Sequence, residues 1–280
     1  LIAQPDGAQF KVVDSFSKSV QLGAGLESSG RLSQVSMNRT LQALRICAQK
    51  LAQFNIKKKR LVATEACRRA ENGQALMNKI KTETGLQLDI ISSEEEAQLA
   101  VLSCGPLVHQ ETEQLLVVDI GGGSTELVWI DLVNVEPSLR SRAIMHMHKG
   151  FRSGSRPNKF GAKVVDWISI PLGVATLRDL FNDVDDDAGR FALMSLMFEE
   201  KLEKFVPYER AHEKNQFQII GTSGTVTTVA ASHLGLRRYD RNKVDGLSMS
   251  SAQIDKVIHD LPSESMKRSN AYTDRAGVLA

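Results

Sequence analysis

Two spacings of apolar residues alternate along this chain. Over 9–22, β-branched and polar residues mix at strand-like intervals, and Gly23-Ala24-Gly25-Leu26 turns the chain. Ser33 is placed to cap a helix running to about Asn55, with Val35, Leu41, Leu44 and Leu51 among its apolar positions. Residues 61–64 read as a short buried strand. Asn72-Gly73 leads into a helix ending near Gly85, 86–91 is a further strand, and a helix beginning at Ser93 reaches about Cys104. This β-α-β-α-β alternation predicts an α/β domain.

The second half repeats the pattern without a direct sequence repeat. An apolar run over 115–118 ends in Asp119, three glycines and two hydroxyl residues follow, and 127–130 continues at strand spacing. This reads as strand, tight turn, strand, and not as a Walker loop, which needs Gly-Lys-Ser/Thr opening a helix. A strand is expected over 164–170, a turn at Pro171-Leu172-Gly173, and a helix over 175–181. The acidic run 182–187 reads as a loop and helix N-terminus, where the helix dipole favours carboxylates. A long helix to about Phe205 follows, then a strand over 217–220 that runs into Gly221-Thr222-Ser223-Gly224-Thr225. One helix is expected to His233, and two more over 250–259 and 263–270.

Composition narrows the class. The 280 residues suffice for two domains, and 42% hydrophobic with 24% charged content is that of an ordinary soluble protein. Cys47, Cys67 and Cys104 are odd in number and widely spaced, so neither a disulfide framework nor a metal cluster is expected, and a reducing, cytoplasmic setting is. No apolar run approaches the length of a membrane span and no signal peptide is visible. The chain opens on Leu1 and closes in mid-pattern, so both ends look cut. The net charge of +2 hides one local bias: residues 137–165 hold seven Lys/Arg, two His and no Asp or Glu. With no periodicity there, a mobile basic insertion is expected.

Candidate chemistry gathers at the glycine-rich strand ends. Gly121, Gly122, Gly123, Ser124 and Thr125 offer amides and hydroxyls to a phosphate, and Asp119 at the strand end suits a divalent cation; a hairpin without a ligand is the plain alternative. Gly221, Thr222, Ser223, Gly224 and Thr225 form a second such loop, opening a helix whose N-terminus attracts anions. Glu94, Glu95 and Glu96 follow two serines at capping-box spacing, so capping accounts for them as well as a water-polarising base does. Arg68 follows a strand end and is the candidate cation, against a plain surface arginine. His146 and His148 lie in the basic stretch and lack further zinc ligands.

Several stretches together resemble the exopolyphosphatase/guanosine pentaphosphate phosphatase family. They are 63–70 with Asn72-Gly73, 90–97, the run from Asp119 through Glu126 to Val128, Pro171-Leu172-Gly173, and 221–225, in the family's order. Residues 20–26 extend the match towards the start, and Asp274-Arg275-Ala276 towards the end. The resemblance implies two ribonuclease-H-like (actin-like) α/β domains around a central cleft. It implies Mg²⁺- or Mn²⁺-dependent hydrolysis of the terminal phosphate of polyphosphate, or of the 5′-phosphate of guanosine pentaphosphate. By the same resemblance Glu96 is the base, although Ser93 replaces a usual Gly. Asp119 and Glu126 are the acidic metal residues, and Arg68 completes the catalytic set.

The family's first phosphate loop is expected before Leu1, and Gln21 and Ala24 stand where Arg and Glu are frequent. The expected domains are 1–112 and 113–280, the second carrying the basic insertion. Polyphosphate or guanosine pentaphosphate is the expected partner, with no nucleic acid and no membrane, and a homodimer is frequent in the family. A non-catalytic sensor of guanosine tetra- or pentaphosphate on the same fold is the alternative. An actin-like kinase is disfavoured, because a water-activating Glu suits hydrolysis.

Overall fold

A computed structural model describes residues 1–6, 9–147, 156–205, 216–236 and 239–267. The chain forms two compact units that part between Ile91 and Ser92. The boundary expected at 112/113 differs, and helix packing is the reason. Helix α5 below buries Ala97, Ala100, Val101 and Cys104 in one cluster with Val117, Val128 and Ile130 of the second unit's sheet.

In the first unit β1 (Ile2–Asp6) and β2 (Gln9–Asp14) form an antiparallel pair. Short helix α1 (Leu26–Ser29) occupies part of the expected turn, and α2 (Gln34–Ala52) begins at Ser33, whose Oγ accepts the Ser36 amide at 3.2 Å. Strand β3 (Val62–Ala63) leads to α3 (Glu65–Arg69), α4 (Gly73–Thr84) and β4 (Asp89–Ile90), the two strands pairing in parallel. The strand expected over 86–91 is thus only two residues long, because Leu86 turns into the core and does not join a ladder. That core sets Leu41 of α2 against Leu76, Met77 and Ile80 of α4, with Ala63 and Cys67 between. Asn72 fastens α4 to the loop before α2, accepting the Leu32 amide at 2.8 Å and donating to the Leu32 carbonyl at 3.0 Å.

The second unit holds α5 (Ser93–Cys104), β5 (Gln114–Ile120), β6 (Thr125–Asp131), α6 (Arg140–Met145), β7 (Lys163–Ile170), α7 (Val174–Leu180), α8 (Asp187–Leu202), β8 (Phe217–Thr222), α9 (Ser223–His233), α10 (Arg241–Val244) and α11 (Ser251–Lys267). The four-stranded sheet runs β7-β6-β5-β8, with β6 antiparallel to both β5 and β7 and β8 parallel to β5. This is the order expected of a ribonuclease-H-like α/β domain. Strand alternation splits the core in two. Leu115, Val117, Val128 and Ile130 face α5, while Leu127, Trp129 and Ile170 pack with Leu202 and Phe205 on the other side.

Two expectations change. The basic stretch is no irregular insertion over its described parts, because 137–139 is a 3-10 turn, Arg140–Met145 is helical, and β7 begins at Lys163. Ala143, Ile144 and Met147 supply the buried face that organises it, and buried Arg140 donates to the Gln110 carbonyl at 2.6 Å. Residues 148–155, His148 among them, lie outside the described residues. The two helices expected after 250 are one, α11, which runs through Pro262; the matching stretch at 274–276 lies outside the described residues. The acidic run 182–187 does end as a cap, since Asp186 Oδ2 accepts the Gly189 amide at 2.7 Å. Among the described residues no helix is long and apolar enough to cross a membrane.

One glycine in the first unit is required by space alone. A Cβ built on Gly73 would lie 2.0 Å from the Cys67 carbonyl oxygen, a backbone atom that cannot step aside. Gly73→Ala is therefore expected to cost about 2–3 kcal/mol of stability, as overpacking of a tight site does. Chemical denaturation of the variant against the wild type measures this, and a difference below about 0.5 kcal/mol, the range of innocuous surface changes, would contradict it.

Candidate active site

The ladder of the second unit sets polar side chains in one row. Asp119 on β5 is opposite Glu126 on β6, Glu126 is opposite Ser169 on β7, and Asp119 is also opposite Thr222 on β8. Side chains opposite one another share a face, and this face is the one covered by α5. Leu115, Val117, Val128, Ile130 and Ile220 line that face behind them, so the carboxylates stand at the rim of an apolar core.

Burial dominates their chemistry. Glu126 is only 2% exposed. Desolvation pushes its carboxyl up to about 7, the negative charges of Glu96 and Asp119 push the same way, and hydroxyl bonds from Ser169 and Ser124 only partly oppose them. The Ser169 hydroxyl donates to Glu126 Oε1 at 2.8 Å. Asp119 is also raised, again by desolvation first and against a hydrogen bond from the Ser223 hydroxyl. Its Oδ1 is buried without any hydrogen-bond partner. A buried, unpartnered carboxylate oxygen beside a second buried carboxylate is costly in the bare fold and is relieved by a cation.

Helix α5 carries Glu96 to this row. Its N-cap is Ser92, not Ser93, and the Ser92 Oγ accepts the Glu95 amide at 3.1 Å. The capping-box spacing therefore belongs to Ser92 and Glu95. Glu96 has no part in that cap; it is half-buried, and its charge acts on Glu126. The two explanations left open for the glutamate cluster apply to two different glutamates.

The glycine loop is held from behind. The carbonyls of Gly121 and Gly122 accept the amides of Val174 (3.2 Å), Ala175 (2.9 Å) and Thr176 (3.3 Å) at the start of α7, and the Thr176 hydroxyl donates to the Gly123 carbonyl at 3.2 Å. In a trans peptide the C=O and the following N–H point in opposite directions. With three successive carbonyls turned to α7, the amides of Gly122, Gly123 and Ser124 point away from it. Such a run of amides is an anion-binding nest. Gly173 permits this contact, because a Cβ there would lie 2.5 Å from the Gly122 carbonyl carbon and 2.6 Å from the Gly121 oxygen. Thr125 adds a bond from its Oγ1 to the Leu172 carbonyl at 2.8 Å, so this hydroxyl braces the loop from within.

The second loop joins the row at Thr222. Ser223 opens α9 at φ 77, a left-handed conformation that costs a non-glycine residue roughly 1–2 kcal/mol. Its compensation is the hydroxyl bond to Asp119. Gly221, Gly224 and Thr225 flank this point, and nothing lies within 4 Å of where a Gly224 Cβ would be.

Arg68 is held by bonds within the first unit. It belongs to α3 of the first unit, where Nη2 bonds Glu65 Oε2 at 2.5 Å and Nη1 donates to the Ile91 carbonyl at 2.6 Å. Glu65 itself is 8% exposed, so the pair is largely desolvated. Sequence reasoning missed Ser169 and Thr176 altogether. The legible sign of Ser169 was a lone hydroxyl among the apolar residues Trp167, Ile168 and Ile170; Thr176 carried none.

Among the described residues no three His, Cys, Asp or Glu side chains converge as a self-sufficient metal cage. Asp119 and Glu126 nevertheless suit a hard cation that takes one or two carboxylates and completes its shell from phosphate oxygens and water.

Comparison with known proteins places this geometry. The chain matches 99% of its length to the PPX-GPPA enzyme of Aquifex aeolicus, at 25% identity, TM-score 0.66 and 84% coverage of that chain. A crystal structure described as an exopolyphosphatase-like protein aligns with TM-score 0.77 at 25% identity, over 96% of this chain and 79% of the other. An exopolyphosphatase from Cytophaga hutchinsonii, 19% identical, shares the fold with TM-score 0.70 over 99% of this chain and 82% of its own. The family model described as the Ppx/GppA phosphatase family matches residues 1–278. With the α/β fold of these structures and that match over nearly its whole length, the chain belongs to the Ppx/GppA phosphatase family.

Proposed function

We propose that this protein is a phosphohydrolase that releases the terminal phosphate of linear polyphosphate, the 5′-phosphate of guanosine pentaphosphate, or both. One observation carries the reading: the row of Asp119, Glu126 and Ser169 stands beside three outward amides, with the charge of Glu96 acting on the same point. In this reading the amides of Gly122, Gly123 and Ser124 receive the oxygens of the phosphoryl group, and the 221–225 loop receives the next phosphate. Asp119 and Glu126 hold Mg²⁺ or Mn²⁺, which supplies charge neutralisation of the phosphate oxygens. Glu96 takes a proton from the attacking water, and the shortened anion departs with the bridging oxygen. Phosphoryl transfer depends mainly on positioning and charge, which is what this row and loop provide. The role of Arg68 is more modest: its bonds to Glu65 and the Ile91 carbonyl steady the strand end that precedes Ser92 and α5.

The full-length protein with Mg²⁺ is expected to release phosphate from one or both substrates. Glu96→Gln should lower kcat by about 10²–10⁴, the usual contribution of a positioned base. Full activity in Glu96→Gln would overturn the role of Glu96. Calorimetric binding of guanosine tetra- or pentaphosphate without any turnover would favour a sensor.

Loop placement gives a second expectation. Gly173→Ala pushes the Gly122 backbone, and displacements of about 1 Å cost on the order of 10²-fold in rate. Steady-state assays should show kcat/KM reduced by at least about tenfold with the far-ultraviolet circular dichroism unchanged; wild-type kinetics would show that the loop tolerates the methyl.

Glu126 gives the third. Its folded pKa of about 7 lies above the ordinary 4.5, so the fold favours the protonated form. Metal-free stability is then greatest below about 4.5 and falls as pH rises towards 7, by up to roughly 3 kcal/mol. Glu126→Gln should flatten this slope in thermal melts between pH 5 and 8. Mg²⁺ should stabilise the wild type more at pH 8 than at pH 5. A Mg²⁺ effect equal at both ends, or none, would remove the carboxylate pair as the cation site.

A further inference from the structure

Two cations of the basic stretch gather on one aromatic ring. Lys159 Nζ lies 4.9 Å and Arg142 Cζ 5.7 Å from the Phe160 ring centroid, and the His146 ring packs edge-on to it at 5.3 Å. The Arg142 and Lys159 charges are therefore at most about 11 Å apart, close to one Debye length in ordinary buffer. Neither they nor Arg156 makes an ion pair with a carboxylate among the described residues, and residues 137–165 contain no Asp or Glu.

The scaffold beneath them is rigid. Asn158 Nδ2 donates to the Ala143 carbonyl at 3.0 Å, while its Oδ1 accepts the Phe160 amide at 3.0 Å and the Ala162 amide at 3.2 Å. Gly161, at φ 97, lets the chain pass the Asn134 carbonyl, which a Cβ would approach to 2.7 Å. Arg156 stands two residues before Asn158 on this pinned segment. The array is also joined to α5: Gln98 Nε2 donates to the Met147 carbonyl at 3.0 Å, and Gln98 is two residues beyond Glu96.

Gathering like charges on a rigid support costs energy that cation–π contacts with one phenyl ring repay only in part. A polyanion repays the rest. Phe160 has its ring covered by Arg142, Lys159 and His146, so it is not offered to a stacking base, which favours a chain of phosphates over single-stranded nucleic acid. We propose that Arg142 and Lys159, gathered about Phe160, together with Arg156 on the adjoining pinned segment, form an exosite for a linear polyphosphate chain, apart from the loop that takes the terminal phosphate. The proposal rests on the phosphohydrolase reading for its ligand class, and it makes long chains better bound than short ones.

The test is direct binding of fluorescently labelled long-chain polyphosphate to the full chain, without Mg²⁺ and therefore without turnover, across 50–200 mM salt. Three phosphate contacts contribute a slope of about −2 in log affinity against log salt, at roughly 0.7 per contact for a single strand. Arg142→Gln/Arg156→Gln/Lys159→Gln should lose that part of the slope and weaken binding about tenfold or more at 50 mM salt. The charge-keeping Arg142→Lys/Arg156→Lys should retain both, which separates lost charge from lost fold. Unchanged binding in the triple Gln variant overturns the exosite. Equal affinity for single-stranded RNA, with the same dependence on the three residues, also overturns it, in favour of a nucleic-acid surface. Failure of the wild type to release phosphate would count against the phosphohydrolase reading alone, because this measurement needs no turnover.

Discussion

The carbonyl groups of three glycines, two turned to the first amides of α7 and the third to the Thr176 hydroxyl, are the contact on which the site depends. That contact settles the direction of every peptide in the 121–124 loop, and with it which amides remain for an anion. It demands a missing Cβ at Gly173, 51 residues from the loop's second glycine in the chain but against its backbone in space. A helix N-terminus is commonly thought of as an anion receptor. Here α7 spends its N-terminal amides on backbone oxygens, and the outward-pointing amides are those of the loop.

The electrostatic arrangement follows from the sheet. Pairing of β5 with β6 puts Asp119 directly opposite Glu126, and the apolar cluster under α5 removes water from both. Desolvation raises the proton affinity of both carboxylates first, and the charges of Glu96 and Asp119 add to the rise at Glu126. The fold thereby stores an unfavourable charge arrangement that a cation would relieve. The strained Ser223 belongs to the same economy of local cost, since its left-handed backbone is what brings its hydroxyl to Asp119.

Much of the fold was legible because burial writes itself as periodicity. The β5-turn-β6 hairpin, helix α2 behind Ser33 and the strand-to-helix passage at 217–233 all appear as spacing of apolar residues. Where the reading failed, a tertiary contact outweighed local pattern. Residues 137–147 look like a punctuated basic loop, yet Ala143 and Ile144 meet α5 and fold the segment into a helix. The unit boundary moved for the same reason, since α5 has too few polar breaks around it to announce which sheet it covers. Arg68 reads equally well as a phosphate ligand or a strut, and only its bonds to Glu65 and the Ile91 carbonyl give it a place.

By itself the sequence determined the residue types of the site and their order: Glu96 on a helix start, Asp119 at a strand end, glycines after it, Glu126 beyond, and a second glycine-rich junction at 221–225. These are local features, each set by a propensity or a turn requirement within a few positions. Only the tertiary structure decided that Ser92 and Glu95, not Ser93 and Glu96, make the cap, leaving Glu96 beside Glu126. It alone decided that Ser169 and Thr222 complete the row, that Gly173 is a matter of contact and not of turn geometry, and that Arg142 and Lys159 share one phenyl ring. The physical reason is common to all of these. Strand register, close backbone approach and charge proximity are distances between residues far apart in the chain, and no window along a sequence contains them.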